Sequence, residues 1–274
     1  MLRRVARKVL ARIRPARLAV ASVALVLRGK AAPLRLIRVM RTLDPRSDAL
    51  IPRFSSSAPT GSSLSHPILA KLLADREFGH WALSIDVVEL IRKEIALSRP
   101  SLVLEFGSGS STVAIAQFMR DLHGPDSSLR VISIEQDMRF VADTTSLLDR
   151  AGLAQHVQIV HAPLKRQVIE GVETICYDIP EGLALLAGET GADLVVIDGP
   201  AAESGARFGT LPLARHSIAV DAVFLLDDAL RDSEIGTATA WAGLPYMRLD
   251  GVILVGKGVL RGRIRGAHGG PLGR

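Results

Sequence analysis

The chain has 274 residues, 48% hydrophobic and 23% charged, an ordinary globular composition with ample apolar material for one large core. A single cysteine, Cys176, excludes an internal disulfide framework and argues against a Cys-based metal site. The net charge of +6 is polarised, with twelve Arg or Lys and no acid in residues 1–43, so the remaining 22 basic and 28 acidic residues leave −6. That asymmetry excludes a uniformly basic nucleic-acid-binding domain.

Residues 1–14 place Leu2, Val5, Ala6, Val9, Leu10 and Ile13 at helical spacing, with Arg3, Arg4, Arg7, Lys8, Arg12 and Arg14 on the other face. This is the pattern of a basic amphipathic helix. The apolar stretch Leu18 to Leu27 follows; ten residues are too few to span a bilayer, which takes about 20. Residues 1–43 read as a basic helical arm with three alternative roles: lying on an anionic membrane surface, packing on the body or a partner, or serving as a nucleic-acid-contacting or targeting segment. The expected location is the cytoplasm, with membrane association as one reading of the arm. Residues 44–65, dominated by Ser, Pro and Gly, read as a linker.

The body, residues 66–260, alternates helical and strand patterns. Ile85, Val88, Ile91, Glu94 and Ile95 set a helical rhythm behind Ser84, and Pro100 ends it. Leu102–Phe106 is a short apolar run and reads as a buried strand. The segment GSGSS follows, then a helix over TVAIAQFMRDL. Further strands are expected at Arg130–Glu135, His156–Val160, Asp193–Asp198 and Ala222–Asp228, and helices at Asp137–Ala151 and Arg231–Ala242. Residues 164–178 suggest a small strand pair around Gly171. Two last strands, YMRLD and VILVGKG, are expected to join through Asp250-Gly251, a hairpin dipeptide. Residues 261–274 read as a basic, Gly-rich tail expected to be disordered. The whole predicts an α/β fold: a doubly wound, mostly parallel sheet with helices on both faces and an antiparallel last strand.

Ligands in such sheets bind beyond the carboxyl ends of the strands, near the point where strand order reverses. The first strand is followed by Gly107-Ser108-Gly109-Ser110-Ser111-Thr112, glycines that let backbone approach a ligand ahead of a helix N-terminus. The second strand ends in Glu135, an acid placed to accept two ribose hydroxyls. Asp198-Gly199-Pro200 follows the fourth strand and Asp227-Asp228 the fifth. Acids at four strand ends crowd negative charge around one crevice, which a cation, a donor-rich ligand or raised pKa values must offset.

LVLEFGSGSST, VISIEQD, DLVVIDGP and FLLDDALRDSE, in this order, resemble the motif series of class I S-adenosylmethionine-dependent methyltransferases, a Rossmann-like family with a seven-stranded sheet. The resemblance covers roughly residues 81–258. It implies a cofactor site in which Glu105 holds the methionine amino group, directly or through water. Gly107, Ser108, Gly109, Ser111 and Thr112 would pass beneath the cofactor, Glu135 would bind the ribose, and Ala162 beside His161 would lie near the adenine. Asp198 would face the cofactor and acceptor, and serve as catalytic base. A partial similarity to catechol-type O-methyltransferases adds a divalent-metal set of Asp198, Asp227 and Asp228, with carboxylates that suit Mg²⁺. Asp228 replaces the asparagine of that pattern, and Ala201 replaces its lysine.

The expected function is methyl transfer to an oxygen or nitrogen of a small-molecule or membrane-associated, lipid-like acceptor; no motif fixes which. Two alternatives are a non-enzymatic Rossmann-like module and a nicotinamide-dependent oxidoreductase. Arg207 and Arg231 read either as anchors for an anionic acceptor or as surface charge, and His66, His80, His161 and His216 as structural or surface residues before catalytic ones.

Overall fold

The computed structural model describes residues 64–75, 83–200 and 206–265. The arm over residues 1–43, nearly all of the linker, and Trp81, His80 and Ala201 lie outside these residues.

Two helices precede the sheet. Helix α1 spans Pro67–Leu72 and is capped by His66, whose ring accepts from Leu69 N–H; α2 spans Ile85–Ser98. The alternation predicted from sequence then follows as β1 (Val103–Phe106), α3 (Ser110–His123), β2 (Val131–Glu135), α4 (Met138–Ala151) and β3 (Val157–His161). Asp137 caps α4 by accepting from Arg139 N–H, and Gly152 ends it in the left-handed region. The expected pair around Gly171 is a hairpin, β4 (Leu164–Ile169) and β5 (Val172–Tyr177), whose two-residue turn holds Glu170 and Gly171 at positive φ. Helix α5 (Leu183–Ala187), β6 (Ala192–Ile197), α6 (Thr210–Leu213), β7 (Ile218–Leu226), α7 (Asp232–Ala242), β8 (Met247–Ile253) and β9 (Val259–Ile264) complete the order.

The seven-stranded sheet runs β3-β2-β1-β6-β7-β9-β8, with β9 antiparallel to both its neighbours. The α/β, Rossmann-like sheet with an antiparallel last strand is thus as expected. Its last two strands differ in detail. Residues 247–253 form one strand with a register shift at Asp250, not a hairpin through Asp250-Gly251. Asp250 is buried and paired to Arg248 and Arg261, which holds it inside the ladder. The turn comes instead before β9, where Gly256 and Gly258 supply the positive φ. The first residues of the expected tail, 261–264, are therefore strand.

Strand residues alternate between two cores. Leu104, Phe106, Ile134, Val195, Ile197 and Phe224 face a layer containing the hairpin, α5 and α7. Val103, Val131, Leu194, Val196 and Val223 face α2, α3 and α4. Burial on both faces is why the central strands read as continuous apolar runs. Glu105 shares the second face with Val103, which turns its carboxylate toward the start of α3. Among the described residues, no helix is long and apolar enough to cross a membrane.

Candidate active site

Strand order reverses between β1 and β6, and the acids named from the sequence gather beyond the carboxyl ends of β2, β1, β6 and β7. The β1 and β6 loops are interlocked. Asp198 N–H and Gly199 N–H both donate to Phe106 O, at 3.0 and 2.7 Å. Gly107 has φ +94°, and a Cβ there would lie 3.0 Å from Gly199 N, so this turn demands glycine twice over. A Cβ on Gly109 would meet no atom of the described residues within 4 Å, so the space above the loop there is open.

Glu105 is fully buried, and its carboxylate accepts Ser111 Oγ at 2.6 Å, Thr112 Oγ1 at 2.6 Å and Ser133 Oγ at 2.9 Å. Thr112 Oγ1 in turn accepts Gly109 N–H at 3.0 Å. Burial pushes the Glu105 carboxyl up to about 7, against the pull of the three hydroxyls. The resemblance gave Glu105 to the methionine amino group; the structure shows it engaged by hydroxyls that pin the loop to the first turn of α3.

Glu135 is held from four directions. Oε2 accepts Ser108 N–H at 2.7 Å and Ser108 Oγ at 3.1 Å, and Oε1 accepts Gln136 N–H at 2.7 Å and Asp137 N–H at 2.9 Å. Thr144 Oγ1 donates to Ser108 Oγ at 3.3 Å, tying α4 to the same loop. Ala162 is fully buried, and its N–H donates to Glu135 O. Gly107 to Thr112, Glu135 and Ala162 therefore form one connected wall.

The acceptor side is an acidic cluster with a buried cation at its centre. Carboxylate oxygens of Asp198, Asp227 and Asp228 lie within 4.8 Å of one another, as the metal expectation requires. Arg207, only 7% exposed, enters this group: Nη2 lies 3.3 Å from Asp198 Oδ1 and 3.6 Å from Asp228 Oδ2, and Nε lies 3.5 Å from Glu234 Oε1. The arrangement does not fit a divalent ion well, because a guanidinium already stands against a carboxylate oxygen of two of the three aspartates. Arg231 Nη1 pairs with Asp228 Oδ2 at 2.8 Å, and Lys257 Nζ lies 3.6 Å from Asp228 Oδ1. Asp228 adopts φ +58°, tolerable for Asp, which turns its side chain into this network.

Burial raises the Asp198 carboxyl, an effect Arg207 opposes and Asp228 reinforces. Asp227 is pushed up to about 7 by burial and the neighbouring Asp198 and Asp228 charges, and its Oδ1 accepts no hydrogen bond from the described residues. The buried hydroxyl of Tyr177, from β5, likewise has no hydrogen-bond partner among them and abuts Gly199. Neither Tyr177 nor Glu234 was singled out from the sequence: Tyr177 lies outside the motifs, and Glu234, although it closes the motif FLLDDALRDSE, stands on a helix and not at a strand end. Arg207 as surface charge is overturned by its burial. His66 bonds Asp121, His161 bonds Gln136 O, and His216 is exposed in the turn after α6, so none of the described three is bonded to the acidic cluster.

Residues 104–229 match the family model described as a methyltransferase domain. Fold, strand-end site and this match together define the class: residues 104–229 carry a methyltransferase domain. This decides for methyl transfer over the non-enzymatic and nicotinamide alternatives. Solved structures share the fold at low identity. The O-methyltransferase TomG of Streptomyces achromogenes, involved in tomaymycin synthesis and solved with SAM, is 18% identical with TM-score 0.52, over 73% of this chain and 91% of that one. The O-methyltransferase of Bacillus cereus, in complex with SAH, is 15% identical with TM-score 0.53, over 79% of this chain and 98% of that one. A methyltransferase from Geobacter sulfurreducens is 17% identical with TM-score 0.50, over 73% and 90%. No curated protein matches the sequence.

Proposed function

We propose that the chain methylates an oxygen of a small-molecule acceptor that enters over the ends of β6 and β7. The observation that carries this reading is the continuity of the two walls. The Gly107–Thr112 loop and Glu135 stand on one side of the strand-order reversal, and Asp198 and Asp227 on the other. The O-methyltransferases solved with SAM and SAH, similar in fold, support the oxygen acceptor and the cofactor.

S-adenosylmethionine supplies a methyl group already activated on a sulfonium, so the protein's task is alignment and exclusion of water. Glu135 presents oxygens to the ribose hydroxyls, and its backbone donors fix the direction in which they point. Glu105 holds the loop through Ser111 and Thr112. Ala162 walls the adenine end. Asp227, with a carboxyl near 7 and one oxygen outside any hydrogen bond to the described residues, suits removal of the acceptor proton. It takes that role in place of Asp198, whose Oδ1 faces Arg207.

Calorimetric titration of the full chain with S-adenosylmethionine, wild type beside Glu135→Gln, tests the cofactor wall. Wild-type binding on the order of micromolar Kd, weakened tenfold or more in the variant, is the expected result. S-adenosylhomocysteine release with a panel of hydroxylated small molecules then tests the acceptor. No binding by the wild type overturns the assignment of this wall.

A further inference from the structure

The acceptor-side crevice carries its own cation. Besides its contacts to Asp198, Asp228 and Glu234, Arg207 donates through Nη1 to Asp227 O at 3.0 Å. One guanidinium thus touches all four acids of the cluster, three through side chains and one through the main chain. Its planar fork suits this bridging, whereas an ammonium offers one point of charge.

The residue is built into place. Thr210 Oγ1 donates to Arg207 O at 2.8 Å, and Trp241 Nε1 donates to Phe208 O at 2.9 Å. Gly209 packs so closely on Cys176 that a Cβ would come within 2.9 Å of its sulfur. The turn holding Arg207 is therefore locked by α7 and by β5.

A Mg²⁺ ion bound by Asp198 and Asp228 would sit at about 2.1 Å from their oxygens. Arg207 Nη2 stands 3.3 and 3.6 Å from those same two residues. Ion and guanidinium would be brought together in a buried, poorly screened space.

We propose that Arg207 takes the place of a divalent metal: it is a positioning residue that neutralises the cluster and fixes Asp198 and Asp228, so that methyl transfer in this protein needs no divalent ion. The inference rests on the methyltransferase reading for its functional meaning, but the test of the cation needs neither cofactor nor acceptor.

Mn²⁺, as chloride, is titrated into the full-length wild type and into Arg207→Met, with the free ion followed by electron paramagnetic resonance. The wild type is expected to show no saturable Mn²⁺ binding at the cluster. Arg207→Met is expected to bind Mn²⁺ about tenfold or more tighter, and adding Asp227→Asn should abolish the gain. Arg207→Lys is the second variant. Its single ammonium cannot bridge Asp198, Asp228 and Glu234 together, so a smaller gain in Mn²⁺ affinity is expected even where the methionine variant does not fold. Saturable wild-type binding that Asp198→Asn or Asp227→Asn removes would overturn the proposal. So would a folded Arg207→Met or Arg207→Lys that binds Mn²⁺ no better than the wild type. If S-adenosylmethionine fails to bind while these ion titrations behave as expected, the methyltransferase reading falls and the cation assignment stands.

Discussion

Gly107 and Gly199 close against each other across the strand-order reversal: a Cβ on Gly107 would lie 3.0 Å from Gly199 N, and one on Gly199 equally near Gly107 Cα. The same Cβ on Gly199 would collide with the Tyr177 hydroxyl. Gly199→Ala is therefore expected to cost about 1–3 kcal/mol of stability through overpacking. Tyr177→Phe removes the colliding atom, and since that hydroxyl has no hydrogen-bond partner among the described residues, the change alone should be neutral or stabilising. In a double-mutant cycle by urea denaturation, Gly199→Ala should cost less in the Tyr177→Phe background. Strictly additive costs would show that the hydroxyl is not what Gly199 accommodates.

Glu105 sets a pH dependence. Its carboxyl rises from an ordinary 4.5 to about 7 in the folded chain, chiefly through burial. The folded form therefore holds its proton more tightly than the unfolded one. The stabilisation is complete below about pH 4.5 and is lost as pH rises through about 7, an effect of up to about 3 kcal/mol. The contribution of Glu105 is obtained by subtracting the unfolding profile of Glu105→Gln from that of the wild type. The difference should fall between pH 5 and 8; a flat difference would refute the shift.

Trp241 couples α7 to the Arg207 turn. Its indole N–H donates to Phe208 O, and its ring packs edge-on against Phe224 with centroids 5.4 Å apart. Trp241→Phe breaks that hydrogen bond and leaves a void, for an expected loss of about 1–3 kcal/mol. Thermal unfolding measures the loss. Unchanged stability would mean that the turn is held without the indole.

Cys176 is fully buried, and its thiol is pushed up to about 12 by burial. It should resist a thiol reagent at pH 8 in the native chain and react at once in guanidinium chloride. Stoichiometric labelling of the folded protein at the unfolding-independent rate of a free thiol would contradict this placement.

The sequence was most legible where local pattern and burial agree. Apolar runs mark β1, β2, β6 and the second half of β7, because strands covered on both faces are predominantly apolar, whereas β3, at the sheet edge and partly exposed, was legible from its alternating Val157, Ile159 and neighbouring Val160. Glycine spacing after Phe106, and Glu135 at the next strand end, picked out residues that share one hydrogen-bonded wall. Gly171 marked the small hairpin, since its turn needs positive φ. Asp250-Gly251 misled for an equally physical reason. Asp-Gly favours a hairpin turn when nothing else claims the aspartate, but Asp250 is claimed by Arg248 and Arg261.

By itself, then, the sequence determined the alternating α/β order, the strand ends at which acids stand, and the resemblance to a methyltransferase, all of which rest on short-range pattern. The tertiary structure decided how the acids are satisfied. It turned Glu105 inward onto three hydroxyls, surrounded Glu135 with donors from Ser108, Gln136 and Asp137, and brought Arg207 and Glu234 to Asp198 and Asp228. The pairings of Glu105 with Ser133, of Glu135 with Ser108 and of Arg207 with the acids join segments separated along the chain. Charge compensation is a property of distance in space: a buried carboxylate is neutralised by whichever cation the fold delivers within a few ångströms, and no local motif records which one that is.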